Sequence, residues 1–103
     1  MGLFSFLKGG PSLRELLQKG AVIIDVRTPN EFDRGRLPEA INIPVDRIAT
    51  DAKRILVIKR PVIFCCNSGD RSAQAVATIK KMGKKDVYNG GDWEKLYLIY
   101  KSI

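Results

Sequence analysis

The chain contains no histidine among its 103 residues. That absence removes the imidazole base on which many cysteine and serine nucleophiles depend. Cysteine is nearly missing too, with two copies, Cys65 and Cys66, adjacent in sequence. Neighbouring cysteines cannot build a disulfide framework and are too few for a closed four-ligand zinc site, so no metal and no cofactor is expected. Free thiols suit a reducing compartment, and a cytoplasmic location is expected. No long apolar run is present: the opening MGLFSFLKGG offers only LFSFL, too short for a signal peptide or a membrane span. Gly2 lacks the Ser or Thr at position 6 that the myristoylation pattern requires. There is no internal repeat and no low-complexity tract. Acidic residues are in the minority, 11 against 18 Lys and Arg, for a net charge of +7. The basic clusters Lys53-Arg54, Lys59-Arg60 and Lys80-Lys81 with Lys84-Lys85 have no interleaved aromatics, so they read as solvated faces and no nucleic-acid partner is expected.

What is present is a packable domain. A hydrophobic content of 45% excludes disordered and collagen-like classes, and the length suits one compact unit. Residues 1–11 read as an N-terminal extension, docked or mobile, and residues 12–103 as a single domain. Ser12-Leu13-Arg14-Glu15 is a capping box ahead of Leu13, Leu16 and Leu17 at helical spacing, and Gly20 ends that helix. Ala21 to Val26 is a near-continuous apolar run, as a strand covered on both faces would be. Thr28-Pro29-Asn30-Glu31 repeats the capping logic for a brief second helix. Ala40 to Ile43 reads as a very short strand. Asp46 is placed to cap a helix carrying Ile48, Ala52 and Ile55, although Ile55 to Ile58 also looks strand-like. Val62 to Cys65 is a buried strand, and a helix follows from about Arg71 to Met82 with Val76, Ile79 and Met82 inward. Val87-Tyr88 is a last strand, Asn89-Gly90-Gly91 a tight turn, and Asp92 the cap of a helix with Trp93, Leu96, Tyr97 and Tyr100.

Strands alternating with helices imply an α/β fold, a mostly parallel sheet with helices on both faces. Ligands in such sheets bind beyond the carboxyl ends of the strands. Asp25-Val26-Arg27, Cys66 to Arg71 and Asn89-Gly90-Gly91 all fall there.

Cys66-Asn67-Ser68-Gly69-Asp70-Arg71 joins a strand end to a helix start. Several backbone N–H groups and the positive helix end can converge on such a loop, and Gly69 permits the positive φ that curls it into an anion nest. A thiol at its first position would be held as a thiolate by those donors. With no histidine, a lowered pKa is the route to activation. The chemistry is then restricted to leaving groups that are already stable anions. Peptide hydrolysis fits poorly, and transfer of sulfur from thiosulfate with release of sulfite fits well. Alternation along the strand separates the two thiols: Cys65 belongs to the apolar run as a small buried hydrophobe, and Cys66 is the nucleophile.

FCCNSGDRSAQA resembles the active-site loop of single-domain rhodanese-like sulfurtransferases, a Cys followed by two residues, Gly, one residue and Arg-Ser. IDVRTPNEF (24–32), GRLPEAINIP (35–44) and VYNGGDW (87–93) resemble three further elements of that family, in the same order. A single motif would be weak and four in register are strong. The resemblance implies a rhodanese-like fold with a four- to five-stranded sheet and a persulfide on Cys66. Sulfur would arrive from a small anionic donor and pass to a thiophilic acceptor, cyanide or a thiol, or to a sulfur-relay protein. Asn67, Ser68, Gly69, Asp70, Arg71 and Ser72 are then the substrate-binding residues. Asp25 and Arg27 brace the site edge, Trp93 is core or pocket wall, and Arg71 either binds the donor or pins the loop to a carboxylate. A non-catalytic binding module or persulfide carrier would use the same residues. A Cys-based phosphatase or arsenate reductase is disfavoured, because the related phosphatases place five residues between Cys and Arg and only four stand here. The sequence departs from the family pattern at Arg36, Glu39, Asn67 and Asp70. The usual opening strand is not evident before Ser12, which points to four strands.

Overall fold

The computed structural model describes residues 10–103. Most of the expected extension, residues 1–9, therefore lies outside the described residues. The elements in chain order are α1 (Leu13–Gln18), β1 (Val22–Asp25), α2 (Pro29–Arg34), β2 (Ile41–Asn42), a 3-10 turn (Val45–Arg47), α3 (Ala52–Leu56), β3 (Val62–Cys66), α4 (Asp70–Lys81), β4 (Val87–Asp92) and α5 (Trp93–Lys101). Among the described residues the sheet has four strands in the order β2-β1-β3-β4, every pairing parallel.

Both capping boxes form. The Ser12 hydroxyl accepts from the Glu15 amide while the Glu15 carboxylate accepts from the Ser12 amide, and Thr28 and Glu31 do the same for α2. The two central strands, β1 and β3, carry apolar residues on both faces and so divide the core in two. On one side Ile24, Phe64 and Cys66 pack with Ile48, Ile55, Ala75 and Ile79 under α3 and α4. On the other, Ile23, Ile63 and Cys65 pack with Leu16, Leu37 and Leu96 under α1 and α5. Helices thus cover both faces, as parallel strands require.

Four expectations need correction. Asp46 caps no long helix: Pro44 precedes a 3-10 turn, and α3 starts separately at Ala52, though Ile48, Ala52 and Ile55 are buried as the apolar spacing implies. Ile55 to Ile58 is not a strand, since α3 runs through Leu56 and leaves Val57 72% exposed. Met82 points outward because α4 ends before it, and the buried stripe is Ser72, Ala75 and Ile79, at helical spacing. Asn89-Gly90-Gly91 is not a turn. It lies within β4, where the register steps from Phe64↔Asn89 to Cys65↔Gly91 and leaves Gly90 as the extra residue of a bulge. The glycine is a steric requirement there, since a Cβ on Gly90 would stand 2.5 Å from Ile63 Cγ2.

Lys84 departs from the solvated reading of the basic clusters. Its ammonium donates to the carbonyls of Ile58 (2.7 Å) and Arg60 (3.1 Å) and pairs with Asp86 at 2.8 Å, tying the turn before β3 to the one before β4. No helix among the described residues is long and apolar enough to cross a membrane.

Candidate active site

Parallel strands end together, and the turns after β1, β3 and β4 meet at one edge of the sheet. β3 delivers Cys66 to that edge with Asp92 of β4 as its register partner. The chain then reverses into α4 through Gly69, whose φ of +94° lies in the left-handed region open to glycine. This curl closes the loop over the sulfur. The Gly69 amide donates to Cys66 Sγ at 3.0 Å and the Ser72 hydroxyl donates at 2.9 Å.

Burial pushes the Cys66 thiol up, but the Ser72 hydroxyl and then the amides of Ser72, Gly69 and Ser68 outweigh it, and the net shift is downward. Cys65 goes the other way. Burial raises it most, the Asp25 carboxylate adds to the rise, and the Arg27 charge offsets only part of it. Cys66 is itself fully covered in the resting loop.

Asp25 and Arg27 form a brace at the end of β1. The Arg27 guanidinium donates from Nε and Nη2 to the Asp25 carboxylate at 2.7–3.0 Å, then continues to the carbonyls of Gly35 (2.6 Å) and Glu31 (3.2 Å). It lies over the Trp93 ring at 4.7 Å, which makes Trp93 the wall behind the brace. Asn42 at the end of β2 ties in by donating to the carbonyls of Asp25 and Arg27. Asp25 is fully covered and Arg27 is 4% exposed.

Arg71, which the sequence leaves between two roles, stands on Glu31. Its Nη1 donates to Glu31 Oε1 at 2.8 Å and its Nη2 to Oε2 at 3.2 Å. Asn67 donates to the same Oε2 at 2.9 Å. Both ends of the loop are therefore fastened to α2 through one carboxylate. Arg71 lowers the Glu31 pKa most, helped by the Thr28 amide, and holds it near 2. Asp70 and Ser68 are exposed at the rim.

Besides Asn42, two contributors escape sequence reasoning. Glu31 is already accounted for by its capping box, which hides the second use of its carboxylate. Asn89 reads as a turn residue, yet its amide donates to the Gly69 carbonyl at 3.1 Å while its Oδ1 accepts from the Gly91 amide. It fastens the back of the loop to the β4 bulge. An Asn directly ahead of Gly-Gly is the only hint. Among the described residues no three His, Cys, Asp or Glu side chains gather as a metal site would need.

Residues 11–95 match the model of the Rhodanese-like domain family. The chain belongs to the rhodanese-like family. Its relatives include the protein YqhL of Bacillus subtilis, 39% identical over 69 residues that cover 67% of this chain and 54% of that protein. Another is the thiosulfate sulfurtransferase GlpE of Pseudomonas syringae, 32% identical over 74 residues covering 72% of this chain and 69% of GlpE. The match thus spans little more than half of one curated relative and about two-thirds of the other. Among solved structures, the human single-domain sulfurtransferase TSTD1 superposes with a TM-score of 0.66 at 29% identity, covering 84% of this chain and 88% of that one.

Proposed function

We propose that this rhodanese-like domain is a sulfurtransferase that carries sulfane sulfur on Cys66. The observation that supports it best is the pair of donors on Cys66 Sγ, the Gly69 amide and the Ser72 hydroxyl, in a chain that has no imidazole. Donors fixed on a sulfur stabilise the thiolate without a proton acceptor. In the first half-reaction the thiolate attacks the outer sulfur of thiosulfate or a similar donor. A new S–S bond forms on Cys66, the donor's S–S bond breaks, and its electron pair leaves on sulfite. The persulfide anion stays under the amides of the loop. In the second half-reaction cyanide or a thiolate attacks the terminal sulfur, giving thiocyanate or a new persulfide and restoring the Cys66 thiolate. Neither step asks the protein for a proton, which matches what the site offers. Asn67, Ser68, Gly69, Asp70, Arg71 and Ser72 frame the reactant, and Asp25 and Arg27 act from behind as bracing. Free thiols suit a reducing setting, which supports a cytoplasmic reading of this chemistry. A partner protein in a sulfur relay would take the persulfide in the same way. The loop is one residue short of the interval in Cys-based phosphatases, which favours a single sulfur over a phosphate tetrahedron.

The test is intact mass after incubation with thiosulfate under non-reducing conditions. One added sulfur is expected on the wild-type chain and none on Cys66→Ser. A gain that persists in Cys66→Ser and vanishes in Cys65→Ser would overturn the assignment.

A further inference from the structure

The mouth of the loop has an unusual charge arrangement for a site that receives anions. The one cation of the loop from Cys66 to Ser72, Arg71, is held by both guanidinium nitrogens on the two oxygens of Glu31. Asn67, the other loop side chain on that carboxylate, is neutral. Asp70 adds an exposed carboxylate at the first position of α4. Once the Arg71–Glu31 pair cancels, the side chains at the rim leave a net negative charge. Within the loop, the attraction for an anion then comes from the backbone amides and the start of α4. Amides at a helix start act as a partial positive charge, and a net negative rim beside them opposes a doubly charged anion more than a singly charged one. The pair is half-exposed, so its role is not a gain in fold stability, where such pairs contribute little. Its consequence is electrostatic and local.

From this arrangement we infer that Glu31 is a positioning residue that sets donor selectivity: by holding Arg71 it disfavours dianionic sulfur donors relative to monoanionic ones. The inference rests on the sulfurtransferase reading above. Glu31 is ionised throughout the neutral range, with its pKa held near 2, so the restraint is permanent.

Thiosulfate and an organic thiosulfonate make a matched pair of probes. Both present the same outer sulfur, and they differ by one charge. With thiosulfate the Cys66 thiolate takes the sulfur and sulfite leaves with the electron pair. With the thiosulfonate the same bond forms and a sulfinate leaves. The readout is the ratio of kcat/KM for thiosulfate to that for benzenethiosulfonate, measured with cyanide as acceptor. In Glu31→Gln the amide oxygen can still accept from Thr28 and Arg71, but the charge on Arg71 is released. The ratio is expected to rise by roughly 3- to 10-fold, as one unscreened charge at close range would give. In Arg71→Gln the Glu31 charge is uncovered and the ratio is expected to fall by a similar factor. The double variant Glu31→Gln/Arg71→Gln removes both charges, and its ratio should return to within about twofold of wild type if the charges act as a pair.

A purely structural Glu31 would lower both donors together and leave the ratio where it was. A ratio unmoved in both single variants, or moved in the same direction by both, overturns the inference while the sulfurtransferase reading stands. A wild-type chain that accepts sulfur from neither donor overturns both. Should Glu31→Gln fail to fold, Arg71→Gln decides alone, a fall in its ratio supporting the inference and an unchanged or higher ratio overturning it.

Discussion

Cys65 and Cys66 share a strand and a peptide bond, and both are fully covered, yet they occupy opposite chemical situations. Cys65 points into the layer under α1 and α5, among Leu16, Ile23, Leu37, Ile63 and Leu96. Burial drives its thiol far up, and the Asp25 carboxylate drives it further. Cys66 points to the α4 side, where burial acts in the same direction but is outweighed by the Ser72 hydroxyl and the amides of Ser72, Gly69 and Ser68. Exposure does not distinguish the two thiols of this pair. The difference is which donors the fold aims at each sulfur, and that follows from the alternation of side chains along β3.

The sharpest way to break the comparison is to remove one sulfur at a time. Cys66→Ser is expected to abolish sulfite release from thiosulfate, by about 10³-fold or more, because the hydroxyl is not ionised by donors that suffice for a thiol. Cys65→Ala should stay within about threefold of wild type, since it leaves every contact to Cys66 Sγ in place. Equal losses in the two variants would mean that the cysteines act together.

Next in size is the bulge that offsets β4 at the cysteines. Gly90→Ala places a Cβ against Ile63 Cγ2 and within 3.1 Å of the Phe64 carbonyl. A loss of about 2–3 kcal/mol in unfolding free energy is expected from such overpacking. A denaturation midpoint indistinguishable from wild type would show that β4 can shift to absorb it.

Ser72→Ala tests the donors. Removing a hydrogen bond to an ionised sulfur should slow sulfite release at neutral pH about tenfold. The pH midpoint for alkylation of Cys66 should move upward, because burial then meets less opposition. Stability carries the same signature with a definite sign. The folded-state pKa of Cys66 lies below the unfolded one, near 8.5, so its contribution is fully present above about pH 8.5 and fades as pH falls through the folded value. Ser72→Ala should narrow that window, as read by urea unfolding across pH. The smallest effect belongs to the neighbouring thiol: Cys65→Ala is expected to cost about 1 kcal/mol as a small packing defect, measured by the same unfolding.

Most of the framework is legible from residue pattern alone. Two S/T-x-x-E boxes mark α1 and α2, and apolar runs mark β1 and β3, because these signals are local and chemically specific. The loop residues from Cys66 to Ser72 can be grouped on sequence grounds for the same reason. What resists reading is set by tertiary contact. Gly90 enters a strand only because Ile63 leaves no room for a Cβ beside it, so a Gly-Gly that favours turns is overruled. Glu31 has two uses, and the short-range capping signal masks the one that spans 40 residues to Arg71. The orientation of Arg71 depends on that partner and could not be derived without it. Met82 fits the apolar period of α4, but the helix stops first.

The chain has a single tryptophan, and its position has a practical consequence. Trp93 directly follows Asp92, the register partner of Cys66, and its indole lies against the guanidinium of Arg27. Tryptophan fluorescence therefore comes from one indole near the strand end that carries Cys66, with no other indole to dilute it. Loading of sulfur on Cys66, as proposed, is expected to change this emission on the unlabelled wild-type chain.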